Sequence, residues 1–298
     1  MLKAIFFCIG LLAFGCSQSD SEGIELKRPY KSFLPENDYH LIDPNPRGYG
    51  GITEQEFHAV LDRVERIYRP IIASFGANLK VERNWKSNTV NAYAQQTGKN
   101  WIISFYGGLA RHEEVTPEGF ALVVCHELGH HVAGVPEYPD SSWASNEGNS
   151  DFYSTASCAR KVFAITQDDN DDTDQTGPCG FITPNEAENI SGTACGERRF
   201  MTANDKTVCE RSLAGGLSLG KLLASLGNEN EPSYETPDRT VVRETQHSHP
   251  AAQCRLDTYK AGTACLKSWN DRIIPKTQDD FMRNSCTTRP RCWFAGLN

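Results

Sequence analysis

The chain has 298 residues, 39% hydrophobic and 23% charged, which is enough to bury a large core and excludes wholesale disorder. It carries 30 Lys+Arg against 38 Asp+Glu, a net charge of −8. An acidic surface repels phosphate backbones, so no nucleic-acid partner is expected. The one long apolar run, residues 4–15, is too short to span a bilayer as a stable helix, so a polytopic membrane protein is excluded.

Lys3 followed by the apolar stretch Ala4 to Leu12 reads as a signal peptide over residues 1–15. Leu12-Ala13-Phe14-Gly15-Cys16-Ser17 resembles a bacterial lipobox, in which Cys16 would be acylated. That resemblance implies an exported protein held to the membrane by its lipid anchor alone. Ser17 after the cysteine favours the outer membrane, with the protein facing the periplasm or the cell surface. The alternative is plain secretion with a free Cys16. Residues 16–50, rich in Pro and Gly, read as a tether and an extended N-terminal wrap. Residues 51–298 form the folded domain.

Thr53-Glu54-Gln55-Glu56 is a capping box that starts a helix, continued by Phe57, Val60, Leu61, Val64, Ile67 and Tyr68 at helical spacing, with Pro70 near its end. Leu79 to Glu82 alternates like a strand. Residues 90–94 and 101–106 flank the turn Thr97-Gly98-Lys99-Asn100 and predict a β-hairpin. Thr116-Pro117 opens a second helix running to Gly134. A third covers about Asn146 to Phe163. The acidic run Asp168 to Asp174 reads as a solvated loop, calcium binding being the other reading. It opens a cysteine-rich insert at about 166–230, in which residues 206–226 are helical. Residues 227–240 read as a loop.

The segment that carries chemistry is Cys125-His126-Glu127-Leu128-Gly129-His130-His131. Residues four apart differ by about 40° around a helix, so His126 and His130 project from one face and can grip one Zn²⁺. Glu127, beside them, can reach a water activated by the metal. His131 points about 100° away from His130 and reads as structural. Downstream, Glu147 and Asp151 are again four apart on the next helix. This suits Glu147 as third ligand and Asp151 as the carboxylate that orients a ligand imidazole. The plainer reading of Glu147 is an acid stabilising a helix N-terminus. A strand of the 90–94 and 101–106 pair, with Asn91 and Ala92 on it, would hold an extended peptide if it lay at the sheet edge.

His126, His130, Glu147 and Asp151 in this order resemble the gluzincin zinc metallopeptidases. Asn146-Glu147 with Ser150-Asp151 is similar to the thermolysin group's segment. Asn91-Ala92-Tyr93-Ala94, Tyr106-Gly107-Gly108-Leu109 and His249-Pro250-Ala251-Ala252-Gln253-Cys254-Arg255 resemble the CaaX-prenyl-protease/HtpX family, in its soluble envelope members. The resemblance implies an α+β zincin-like fold, a mixed or antiparallel sheet packed on helices that include the metal helix. It implies one Zn²⁺ per chain and a protein or peptide substrate, with Glu127 as general base. It also implies a place at the zinc cleft for His249, as oxyanion stabiliser or as inhibitory fourth ligand. Arg255 would pair with Glu147 or cap a helix. The competing expectation is a non-hydrolytic zinc-binding module acting in outer-membrane protein quality control or assembly.

Removing Cys8 and Cys16 leaves nine cysteines, and export predicts disulfides. Spacing favours Cys286–Cys292 and Cys254–Cys265 as local pairs. Cys125, on a helix expected to be buried, is the expected free thiol.

Overall fold

The computed structural model describes residues 30–41, 51–164, 195, 202–265, 268–284, 286 and 289–297. The leader, Cys16, the acidic run 168–174 and Cys179 lie outside the described residues.

The protein is α+β, a small mixed sheet packed on helices. Strand β1 is Tyr30–Ser32, β2 Asn78–Asn84, β3 Ala92–Thr97 and β4 Asn100–Tyr106. Their spatial order is β1-β3-β4-β2, with β2 parallel to β4 and the other two pairings antiparallel. The expected hairpin is β3–β4, turning through Gly98 at φ 60, a left-handed conformation that glycine adopts without strain. The anticipated N-terminal wrap contributes β1 to this sheet, because Tyr30–Ser32 pairs with Tyr93–Gln95.

Helix α1 (Glu54–Ser74) starts at the expected capping box, with the Thr53 side chain accepting from Glu56 N and Glu56 reaching back to Thr53 N. Its apolar stripe, Phe57, Val60, Leu61, Val64, Tyr68 and Ile72, is buried, Ile67, also expected on the stripe, is partly buried against the core, and the helix continues one turn past Pro70. The short α2 (Gly107–Ala110) follows β4, and α3 (Pro117–Val132) begins with Pro at its first position and Thr116 as cap. From Glu118 to Val132 every residue of α3 is buried, because α1, the sheet and the later helices pack around it. The anticipated helix 146–163 is broken into α4 (Glu147–Tyr153), a π-helical turn (Ser154–Cys158) and α5 (Ala159–Val162). Helix α6 (Ala203–Gly227) covers the predicted 206–226, and α7 (Ala252–Thr263) and α8 (Gln278–Asn284) complete the chain.

Four disulfides join Cys125–Cys158, Cys195–Cys209, Cys254–Cys292 and Cys265–Cys286. Three expectations are corrected. Cys125 is not free: its Cα lies 5.5 Å from that of Cys158, and the bond staples the metal-motif helix to the π-helical turn. Cys254 and Cys265 are not partners. Cys254 lies in the first turn of α7 and Cys265 just past its end, so the helix between them holds them beyond the reach of a disulfide. Each instead bridges to the C-terminal segment, so the pair Cys286–Cys292 is also absent.

Cross-links of this kind contribute about 2–4 kcal/mol each. Reduction is therefore expected to lower the melting temperature markedly. Peptide mapping of unreduced protein is expected to recover these four pairs, and recovery of Cys254–Cys265 would contradict the fold of the C-terminal third.

Candidate metal centre

Three elements build the site. Helix α3 supplies His126, Glu127 and His130 from one buried face, and α4 supplies Glu147 in its first turn and Asp151 one turn on. The two helices can meet because position 129 is glycine: a Cβ there would stand 2.9 Å from Ser150 Cα. Asn146 caps α4 by accepting from Asn149 N, which sets the direction in which Glu147 leaves the helix. Helix α7 brings Arg255 and Tyr259 from the opposite side.

All four groups at the centre, His126, Glu127, His130 and Glu147, are 0% exposed. His126 Nδ1 donates to Asp151 Oδ1 at 2.8 Å, and His130 Nδ1 donates to the Ser145 carbonyl at 2.8 Å. Both partners accept only, so each ring carries a proton on Nδ1 and turns Nε2 inward. Among the described residues neither Nε2 has a hydrogen-bond partner, and neither does Glu147 Oε2 or either oxygen of Glu127. His126 Nε2 nevertheless lies 3.2 Å from Glu147 Oε2, and His130 Nε2 3.6 Å from Glu147 Oε1. Lone pairs facing a carboxylate at that distance repel unless a proton or a cation sits between them. Candidate ligand atoms of His126, Glu127 and His130 also fall within 4.8 Å of one another, so these residues form a group that can hold a metal ion. A second cluster, Asp238, Cys254 and Cys292, offers no thiolate, because its cysteines are bonded to each other.

Burial and local charge set the protonation of the metal-free centre. Burial disfavours the charged ring at His126, but the carboxylates of Asp151 and Glu147 outweigh it and lift the ring to about 9. At His130 burial wins and the ring falls to about 3. Burial pushes Glu127 well above the usual carboxylate range. Burial acts the same way on Glu147, but the rings of His249, His130 and His126 outweigh it and hold its carboxyl low.

Sequence reasoning anticipated Asp151 as the orienter of a histidine, and the contact to His126 is made. Arg255 is placed differently. It pairs with Asp151 and not with Glu147, donating from Nε to Oδ2 at 2.7 Å and from Nη2 to Oδ1 at 2.8 Å. Its third nitrogen donates to the Phe33 carbonyl at 2.8 Å. His249 stands at the rim, 21% exposed, with Nε2 3.4 Å from Glu147 Oε2 and 2.8 Å from the Ser32 carbonyl. His131 is sandwiched between Trp101 and Trp143 and takes no part in the centre.

The expected open sheet edge at residues 90–94 or 101–106 is not present. Strands β3 and β4 are the two inner strands, and β1 pairs along β3. Asn91 and Ala92 are occupied by the chain itself: Asn91 brackets the Leu34 backbone, and the Ala92 carbonyl accepts from Phe33 N.

Three neighbours were not legible in the sequence. The Tyr138 hydroxyl donates to Glu147 Oε1, the Tyr259 hydroxyl donates to Asp151 Oδ1 at 2.7 Å, and the Phe33 ring stands edge-on to His126 at 5.2 Å. Tyr259 lies one helical turn after Arg255, a spacing that places both on one face of α7. Tyr138 and Phe33 lie outside regular helices and strands and carry no such signal.

No protein-family model, no curated protein and no solved structure matches the chain.

Removing one partner of a buried ion pair costs about 3–5 kcal/mol. Arg255→Ala is therefore expected to lower the stability of the metal-free protein by that order in urea unfolding. An unchanged midpoint would show that Asp151 does not depend on Arg255. Burial raises the Asp151 carboxyl and Arg255 outweighs it, so its pKa is below the ordinary value. The stabilisation is thus full above pH about 4 and is lost as the pH falls through the lowered value.

Proposed function

We propose that the protein is a zinc-dependent endopeptidase in which His126, His130 and Glu147 hold the metal. The observation that carries this reading is the convergence of two buried imidazole nitrogens, neither with a hydrogen-bond partner among the described residues, on one buried carboxylate. Zinc bonds of about 2.0–2.1 Å in a tetrahedron put neighbouring ligand atoms about 3.3 Å apart. The His126 separation of 3.2 Å, to Glu147 Oε2, fits that edge, and the His130 separation of 3.6 Å, to Oε1, is close to it. Two nitrogens and an oxygen are a donor set of catalytic zinc sites, which keep a fourth position open.

Bound zinc would supply Lewis-acid activation of water and of the scissile carbonyl. Glu127 adjoins the ligands in sequence, its carboxylate is unpartnered, and it would take the proton of the attacking water and hand it to the departing amine. Asp151 would fix the His126 tautomer and raise its basicity as a ligand. Tyr138 and His249, both in contact with Glu147, would orient that ligand. The disulfides support an oxidising compartment, and with it the exported reading of the leader.

Purified wild type is expected to carry one zinc per chain by elemental analysis. Glu147→Ala is expected to lose it, and Asp151→Ala to weaken binding by about 10–100-fold. Full occupancy in Glu147→Ala would refute the ligand set.

Glu127→Gln is expected to keep zinc and fold while losing casein hydrolysis, because an amide cannot accept the proton. Zinc binding without cleavage above the Glu127→Gln background, in wild type and in the variants described below, would leave a binding module in place of a peptidase.

A further inference from the structure

A peptidase needs its reacting groups open to substrate, yet His126, Glu127, His130 and Glu147 are fully buried. The segment Lys31–Leu34 lies against this centre, with Phe33 beside His126 and the Ser32 carbonyl on His249. Strand β1 runs antiparallel to β3, adding to the sheet as an extended peptide ligand would. The hold on this segment is largely through its backbone. The Ser32 carbonyl accepts from His249, the Phe33 carbonyl from Arg255, and Phe33 N donates to the Ala92 carbonyl. Asn91 accepts from Leu34 N and donates to Leu34 O. The side chains close the cover: Phe33 packs edge-on to His126, and Lys31 Nζ lies 3.8 Å from the centre of the Tyr138 ring.

Resting on the peptidase reading, we propose that Lys31–Leu34 is a built-in occupant of the peptide-binding groove, which keeps the centre closed until it is displaced. Recognition through backbone carbonyls and amides, with an aromatic side chain against the ligand histidine, also defines the substrate class. The groove would take extended, unfolded polypeptide with an aromatic residue followed by an aliphatic one. Asn91 and Ala92 then keep the peptide-holding role expected of them, exercised on the chain's own segment.

Two chains test this, both in the zinc-loaded Glu127→Gln background so that no self-cleavage intervenes. In the first, Phe33→Ala weakens the cover. In the second, a site-specific protease sequence inserted after the exposed Asp38 allows the segment to be cut from the domain, to which no described disulfide ties it. Circular dichroism and the four disulfides check that each chain is folded. Zinc removal by excess EDTA is expected to accelerate at least about tenfold in both, because access follows the population of the open form. An excess of the hexapeptide Tyr-Lys-Ser-Phe-Leu-Pro is expected to slow removal from the cut chain again. The labelled hexapeptide is also expected to bind the cut, metal-free chain by fluorescence anisotropy. Unchanged EDTA rates and no hexapeptide binding would overturn the proposal while leaving the peptidase reading to its own test. Faster zinc removal and hexapeptide binding, with no casein hydrolysis in the same chains carrying Glu127, would uphold the cover and refute the peptidase.

Discussion

Asp151 sits where α3, α4 and α7 meet, and its two oxygens accept four hydrogen bonds, from His126, Tyr259 and two nitrogens of Arg255. A buried carboxylate is costly unless its charge is matched and its lone pairs are used. Arg255 matches the charge, and the hydroxyl and imidazole complete the shell. The same arrangement fixes the His126 tautomer, so Nε2 faces Glu147. The remaining guanidinium nitrogen reaches the Phe33 carbonyl, which ties the N-terminal segment to the same network. Orientation of the candidate ligand, docking of α7 and placement of the segment over the site thus depend on one charge pair.

The electrostatics of the centre follow from its burial. With no water to screen them, His126 and His130 move in opposite directions although they share a helix and a neighbour, because only His126 has a carboxylate behind it. Glu127 has no hydrogen-bond partner among the described residues. Such groups are uncommon in a protein interior. They are reasonable where a cation completes the charge balance and a water occupies the space beside Glu127.

Much of this was legible in the sequence because it is local. The capping box at Thr53, the Pro117 helix start, the β3–β4 hairpin and the i, i+4 pairs His126/His130 and Glu147/Asp151 depend on periodicity and turn chemistry within a few residues. Contacts between distant segments were less legible. The partner of Arg255, the pairing of Cys125 and the crossed bridges of Cys254 and Cys265 are set by how helices pack, which spacing along one segment does not encode. The position of β1 is the clearest case. Three residues of a Pro-rich tract carry little alternation of their own, and they are extended because β3 offers an edge and Asn91 grips the backbone that follows.

On the proposed function, two histidine nitrogens and a carboxylate oxygen hold one zinc in a buried, three-residue site. Zinc X-ray absorption spectroscopy of the wild-type protein tests it without reference to activity. The account predicts a shell of nitrogen and oxygen only, at about 2.0–2.1 Å, with the multiple-scattering signature of two imidazoles. A sulfur shell at about 2.3 Å would contradict it, as would a shell without imidazole scattering.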